Sequence, residues 1–146
     1  MIKSTVEISR PPDEVFAYLD QLERHGEWQS AIQSVKVQTD GPTRVGSRAT
    51  ERRKVPGGAR DVTYEITEHD PPWKASFKGL DGPIRPKGTM RIAPLDGKTR
   101  SRLTLELELE PVTFSGKLFA PLARRAATRR VPKDQAKLKQ ILESGA

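Results

Sequence analysis

The chain contains no cysteine, only two histidines, and few aromatics: two Trp, two Tyr and four Phe among 146 residues. Without cysteine there can be no disulfide, thiol nucleophile or thiolate metal ligand, and two histidines as far apart as His25 and His69 leave little to hold zinc. Neither a metal nor a cofactor is expected. No apolar run is long enough to span a bilayer. The first residues, MIKSTVEISR, alternate like a strand instead of forming a signal-peptide core, so a cytoplasmic location is the default expectation.

What is present is enough for one domain, expected over residues 1–146. Apolar residues make up 34% and charged residues 31% of the chain. The apolar positions fall into periodic runs, which reads as globular and not disordered. The net charge is +7. Much of the excess lies where Lys117, Arg124, Arg125, Arg129, Arg130, Lys133, Lys137 and Lys139 face a single acid, Asp134. Clustered cations gain by releasing counterions from phosphates. Arg124 to Lys139 carries no aromatic to stack on bases, so no sequence-specific nucleic-acid site is expected. The expected partner of this stretch is a weak, salt-sensitive contact with an anionic membrane surface, against the simpler reading of a solvated helix face.

Ile2 to Ser9 alternates as a half-buried strand. Pro11 and Pro12, followed by Asp13 and Glu14, open a helix whose stripe is Val15, Phe16 and Leu19, extended by Leu22. Gly26 is expected to break it, leaving Glu27 to Ala31 at most one further turn. Turn formers at Asp40, Pro56, Asp70, Asp81 and Asp96 then punctuate six strands. These are Ile32–Thr39, Ser47–Val55, Arg60–Glu68, Trp73–Gly79, Ile84–Ala93 and Thr99–Glu110. In the last, Leu103, Leu105, Leu107 and Leu109 alternate with polar residues, so one face is buried. After Pro111 the spacing becomes helical, with Phe114, Leu118 and Leu122 on one face and Leu138, Ile141 and Leu142 resuming it. Pro121 and Pro132 must kink this helix or sit at local breaks.

This order of elements, carried by RPPDEVFAYL, HGEWQS, DGPTRVGS, PGGARDVTYEIT, DGPIRPKGTMRI, DGKTRSRLTLELELE and QAKLKQILE, resembles the polyketide cyclase/dehydrase and lipid-transport group of the START-like, Bet v 1-like superfamily. The resemblance covers nearly the whole chain. It implies an α+β helix-grip fold: a seven-stranded curved antiparallel sheet around a long C-terminal helix, two short helices after the first strand, and an apolar cavity between sheet and helix. It also implies a small hydrophobic ligand, such as a lipid, a polyketide or another aromatic or isoprenoid-like molecule. The chain is then a carrier or binding module or, alternatively, a cyclase/dehydrase-like enzyme. The group has no universal catalytic residue, so none is assigned.

Within that frame the expected cavity wall comprises Trp28, Tyr64, Trp73, Phe77, Met90, Leu103, Leu105 and Leu107, closed by Phe114, Leu118 and Leu122 of the helix. For Trp28 the first reading is a plug that packs the short helices onto the sheet, and the cavity entrance is the alternative. His25 and Glu27, two apart with Gly26 between them, do not share a helix face. His25 is therefore expected at an exposed helix end, and His69 at an exposed junction of strand and turn. The strand SRATERRKV must aim a cation at the helix side whichever face is chosen. Burial of a lone charge is costly, so that cation pairs with Glu51, Asp61 or Glu65, lies at a solvated strand end, or meets a ligand carboxylate or enolate, with Tyr64 as a hydroxyl partner.

Overall fold

The computed structural model describes residues 1–144; the last two positions of the expected domain lie outside the described residues. Seven strands form one antiparallel sheet: β1 (Ile2–Ile8), β2 (Ile32–Val37), β3 (Arg48–Val55), β4 (Gly58–Asp70), β5 (Lys74–Gly79), β6 (Ile84–Leu95) and β7 (Arg100–Pro111). β2 to β7 run as a meander and β1 pairs with β7, which gives the order β1-β7-β6-β5-β4-β3-β2. The sheet holds a long helix, α2 (Phe114–Glu143), and two short helical segments follow β1: α1 (Pro12–Leu19) and a 3-10 helix (Leu22–Glu27).

The break between the short helices lies at Asp20 and Gln21, not at Gly26, which the 3-10 helix includes. The last carbonyls of α1 find side-chain partners: His25 Nε2–H donates to Leu19 O at 2.7 Å, and Thr43 Oγ1 donates to Asp20 O at 2.7 Å. These tertiary bonds offer the carbonyls an alternative to another helical turn. α2 passes through Pro121 and Pro132 without interruption. Both prolines and the residues four before them, Lys117 and Thr128, are exposed, so water can serve the carbonyls that lack an amide partner.

The two halves of α2 are held differently. Over its C-terminal half, buried Gln135 accepts from Ser4 Oγ at 2.6 Å and donates to Leu103 O at 2.9 Å. Asp134 accepts from the Ser30 amide and hydroxyl, both at 3.1 Å. Arg10 and Lys139 add bonds between this end of α2 and the β1 segment. Beneath that half lies the main core, with Ile8, Val15, Phe16, Leu103 and Leu138. A second cluster of Leu22, Ala49, Tyr64 and Ile66 sits under β2 to β4. Near its N-terminal end α2 packs closely on the turn before β6 at Gly116, where an added Cβ would overlap the Pro83 carbonyl. Space remains between the helix and the sheet. Among the described residues, no helix is long and apolar enough to cross a membrane.

Candidate functional site

Between the inner face of the sheet and the N-terminal half of α2 lies a cavity of about 800 Å³. That is within the range of small-molecule sites, which run from about 300 to 1,000 Å³. Strand register builds its apolar wall. Leu105, Met90 and Ala75 stand opposite one another in one row, and Leu107, Gly88, Phe77 and Ile66 in the next. Gly88 is required there, since a Cβ at that position would overlap the Phe77 ring. Phe77 in turn meets Tyr64 edge to face at 5.4 Å.

Of the eleven wall residues expected from sequence, Trp28, Tyr64, Phe77, Met90, Leu105 and Leu107 line this cavity. Trp28 does so while also packing into the main core at 7% exposure, so both of its readings hold. Leu103 belongs to the solid core and is fully buried. Trp73 sits beyond the cavity at the start of β5, with Lys98 Nζ 5.8 Å above its ring. Phe114, Leu118 and Leu122 face away from the sheet and are 84%, 66% and 50% exposed. The helix presents Gly116, Phe119, Ala123, Ala127, Arg130 and Asp134 to the cavity instead. The 3.6-residue period picks out a real stripe, but small residues that let the helix approach the sheet carry no hydrophobic signal.

The polar side of the cavity is the part least visible in sequence. β3 turns Glu51 and Arg53 inward and pairs them at 2.6 Å. Its outward cations pair across the sheet, Arg48 with Glu65 at 2.9 Å and Arg52 with Asp61 at 3.0 Å. Arg53 Nη1 also donates to Gln29 Oε1 at 3.1 Å. From α2, Arg130 Nε stands 3.7 Å from Asp134 Oδ2, too far for a hydrogen bond. Burial, and then repulsion from Arg53, lower the Arg130 pKa, against the pull of Asp134 and Glu51. Two cations and two carboxylates therefore share this end.

Among the described residues, three buried side-chain polar atoms lack any hydrogen-bond partner: Trp28 Nε1, Tyr64 Oη and Arg130 Nε. All three residues line the one cavity. Trp Nε1 and Arg Nε can only donate, and a hydroxyl can do either. Unsatisfied buried donors are costly, and an oxygen acceptor is the group that would satisfy them. Burial, followed by the neighbouring Glu51 carboxylate, pushes the Tyr64 phenol pKa upward and keeps it a neutral O–H.

The histidines differ from expectation. His25 is not at an exposed helix end. It lines the cavity, edge to face with Trp28 at 5.9 Å, and burial lowers its pKa from the ordinary 6.5. Because Nε2–H is committed to the Leu19 carbonyl, the neutral ring keeps its Nδ1 lone pair. His69 is half-buried, with Nε2 2.9 Å from Asp20 Oδ1 and its ring 5.5 Å from Phe16; it ties β4 to the end of α1. No group of three or more metal-ligating side chains occurs among the described residues.

Comparison with known structures agrees with this architecture. A protein from Thermus thermophilus superposes with a TM-score of 0.81 at 19% identity, covering 99% of this chain and 98% of that one. The Zhui aromatase/cyclase from Streptomyces sp. R1128 gives 0.80 at 16% identity, covering 97% and 92%. A START superfamily protein from Mycobacterium smegmatis gives 0.80 at 12% identity, covering 99% and 98%. No curated protein sequence matches the chain. The family model described as polyketide cyclase/dehydrase and lipid transport matches residues 1–143. With that match and a START-like helix-grip fold, the chain belongs to the polyketide cyclase/dehydrase and lipid-transport family.

Proposed function

We propose that the chain binds a small, mostly apolar molecule, of the lipid, polyketide or isoprenoid-like aromatic kind, that bears an oxygen acceptor such as a carbonyl, enolate or phenolic oxygen, and that it carries or presents this molecule. The observation that supports this reading is that three residues with a buried, unpartnered polar atom, Trp28 (Nε1), Tyr64 (Oη) and Arg130 (Nε), all line one cavity whose wall is mostly apolar. The Glu51–Arg53 and Arg130–Asp134 pairs balance in charge, so a neutral oxygen fits as well as an anion. Family membership supports the hydrophobic ligand class.

The test starts with native mass spectrometry and solvent extraction of the purified chain, to identify any molecule carried along. A ketone-bearing polycyclic aromatic and its unoxygenated parent are then titrated against the protein. The ketone is expected to bind about tenfold more tightly, the equivalent of one charge-assisted hydrogen bond. Replacing Tyr64→Phe and Arg130→Met together is expected to remove that preference. Failure of both compounds to bind, together with an empty extract, overturns the proposal.

A second reading, a cyclase/dehydrase-like enzyme, draws on His25. A neutral imidazole lining the same cavity could take a proton from a carbon next to a carbonyl whose oxygen the donors hold. Incubation with a poly-β-ketone analogue in deuterated water distinguishes the two, since an enzyme would exchange the acidic C–H much faster than its His25→Gln variant.

A further inference from the structure

The outer face of α2 has an organisation that ligand binding in the cavity does not use. Phe114, Leu118 and Leu122 are 84%, 66% and 50% exposed, and Phe119 beside them is 55% exposed. On a helix, Phe114, Leu118 and Leu122 fall within about 80° of one another, and Arg125 and Arg129 continue the same arc. From Pro111 to Lys133 the chain has six cations, Lys117, Arg124, Arg125, Arg129, Arg130 and Lys133, and no acid. An exposed apolar patch followed on the same helix face by arginines, unopposed by any carboxylate, is complementary to an anionic bilayer surface, where apolar side chains reach the acyl boundary and long cationic side chains meet the headgroups. Nucleic acid would match the charge but not the phenylalanine and leucines. A second copy would match the apolar residues but set two such cationic segments against each other.

The patch also adjoins the mouth of the cavity. Phe119 lines the cavity on one side and meets solvent on the other; across from it Lys54, Pro56 and Arg60, at the tip of the β3–β4 hairpin, are exposed and line the cavity too. We infer that the N-terminal half of α2 docks on an anionic lipid surface, with Phe114, Leu118 and Leu122 in the interface and Arg125 and Arg129 on the headgroups, so that the cavity mouth beside Phe119 opens next to the bilayer. A hydrophobic molecule could then pass between membrane and cavity with little exposure to water.

The test is co-sedimentation of the full chain with vesicles of phosphatidylcholine containing phosphatidylglycerol, and with vesicles of phosphatidylcholine alone. Binding is expected only to the anionic vesicles, and to weaken as salt rises. The Phe114→Ser/Leu118→Ser and Arg125→Gln/Arg129→Gln variants change exposed positions, so their melting should match wild type, while vesicle affinity falls by about tenfold or more. No cavity ligand enters this assay, and the Leu105→Trp variant, altered only inside the cavity, is expected to bind vesicles like wild type. Failure here is thereby distinct from failure of the ligand-binding proposal. Equal sedimentation with both vesicle types, sedimentation with neither, or unchanged binding by either double variant overturns the inference. So does a dimer that Leu118→Ser abolishes in a chain that ignores vesicles.

Discussion

Arg53 Nη1 lies 2.6 Å from Glu51 Oε1, two positions back on the same strand, and both side chains belong to the cavity wall. Glu51 is only 7% exposed, so its carboxylate depends on this partner. Removing one member of such a pair leaves a buried charge uncompensated, at a cost of about 3 to 5 kcal/mol, whereas removing both is far milder. Arg53→Met is therefore expected to destabilise the fold strongly, and Glu51→Gln/Arg53→Met to recover most of the loss. Urea unfolding of the three proteins decides it; a double variant no better than the single one would show that Arg53 acts through packing instead.

The His25 imidazole makes stability depend on pH in a defined direction. Burial lowers its folded-state pKa below the ordinary 6.5, with Glu51 and Glu23 pulling upward and Arg53 pushing down. The unfolded chain therefore takes up the proton first. The stability associated with a neutral His25 is fully present above about pH 6.5 and is lost as pH falls from there through the lowered folded value. In His25→Gln, whose side-chain amide can still donate to the Leu19 carbonyl, that part of the decline should vanish. The acidic groups held below their ordinary range, such as Glu27 beside Arg24 and Glu143 beside Lys139, act in a separate, lower window. Thermal melts from neutral pH to about pH 5 that superpose for wild type and variant would refute the assignment.

Leu103 and Leu105 are neighbours on the same face of β7, yet one is sealed in the core and the other borders open space. Leu105→Trp should fill part of the cavity, abolish binding of a hydrophobic fluorescent probe and cost under about 1 kcal/mol. Leu103→Trp should incur the roughly 1 to 3 kcal/mol penalty of an overpacked interior. Probe titration alongside denaturant unfolding separates them, and equal destabilisation by the two changes would mean that the interior is solid at both positions.

These cases show which parts of the molecule could be read from sequence. The strands were legible because one face of the sheet is wet, so Leu103, Leu105, Leu107 and Leu109 alternate with polar partners, and because the Asp-Gly and Pro-Gly turns mark the strand ends. The inward face of α2 was not legible. It is built from Gly116, Ala120, Ala123 and Ala127, followed by polar Arg130, Asp134 and Gln135. Hydrophobic periodicity therefore favours the opposite face, where Phe114, Leu118 and Leu122 lie exposed. The parity of SRATERRKV was open until the register set Ala49 against Tyr64 and turned Glu51 and Arg53 inward. His25 could not be placed because its anchor, the Leu19 carbonyl, belongs to the last residue of a helix whose end the sequence pattern does not mark.

Tyr64 provides the sharpest test of the polar end of the cavity. Its hydroxyl is buried and has no hydrogen-bond partner, although the ring is packed against Phe77 and within the cluster of Leu22, Ala49 and Ile66. Tyr64→Phe keeps the packing and removes only the oxygen. For a hydroxyl bonded within the protein, this change would cost about 1 kcal/mol of stability. Here the free protein should be unchanged or slightly more stable. The loss should appear only with ligand: affinity for an oxygen-bearing aromatic is expected to fall about threefold, the equivalent of roughly 0.7 kcal/mol, while affinity for the unoxygenated parent stays the same. Calorimetric titration of both compounds against wild type and Tyr64→Phe makes the comparison. A stability loss in the free variant would place the hydroxyl in a structural bond. An equal loss for both compounds would mean that Tyr64 shapes the apolar wall and does not recognise the oxygen.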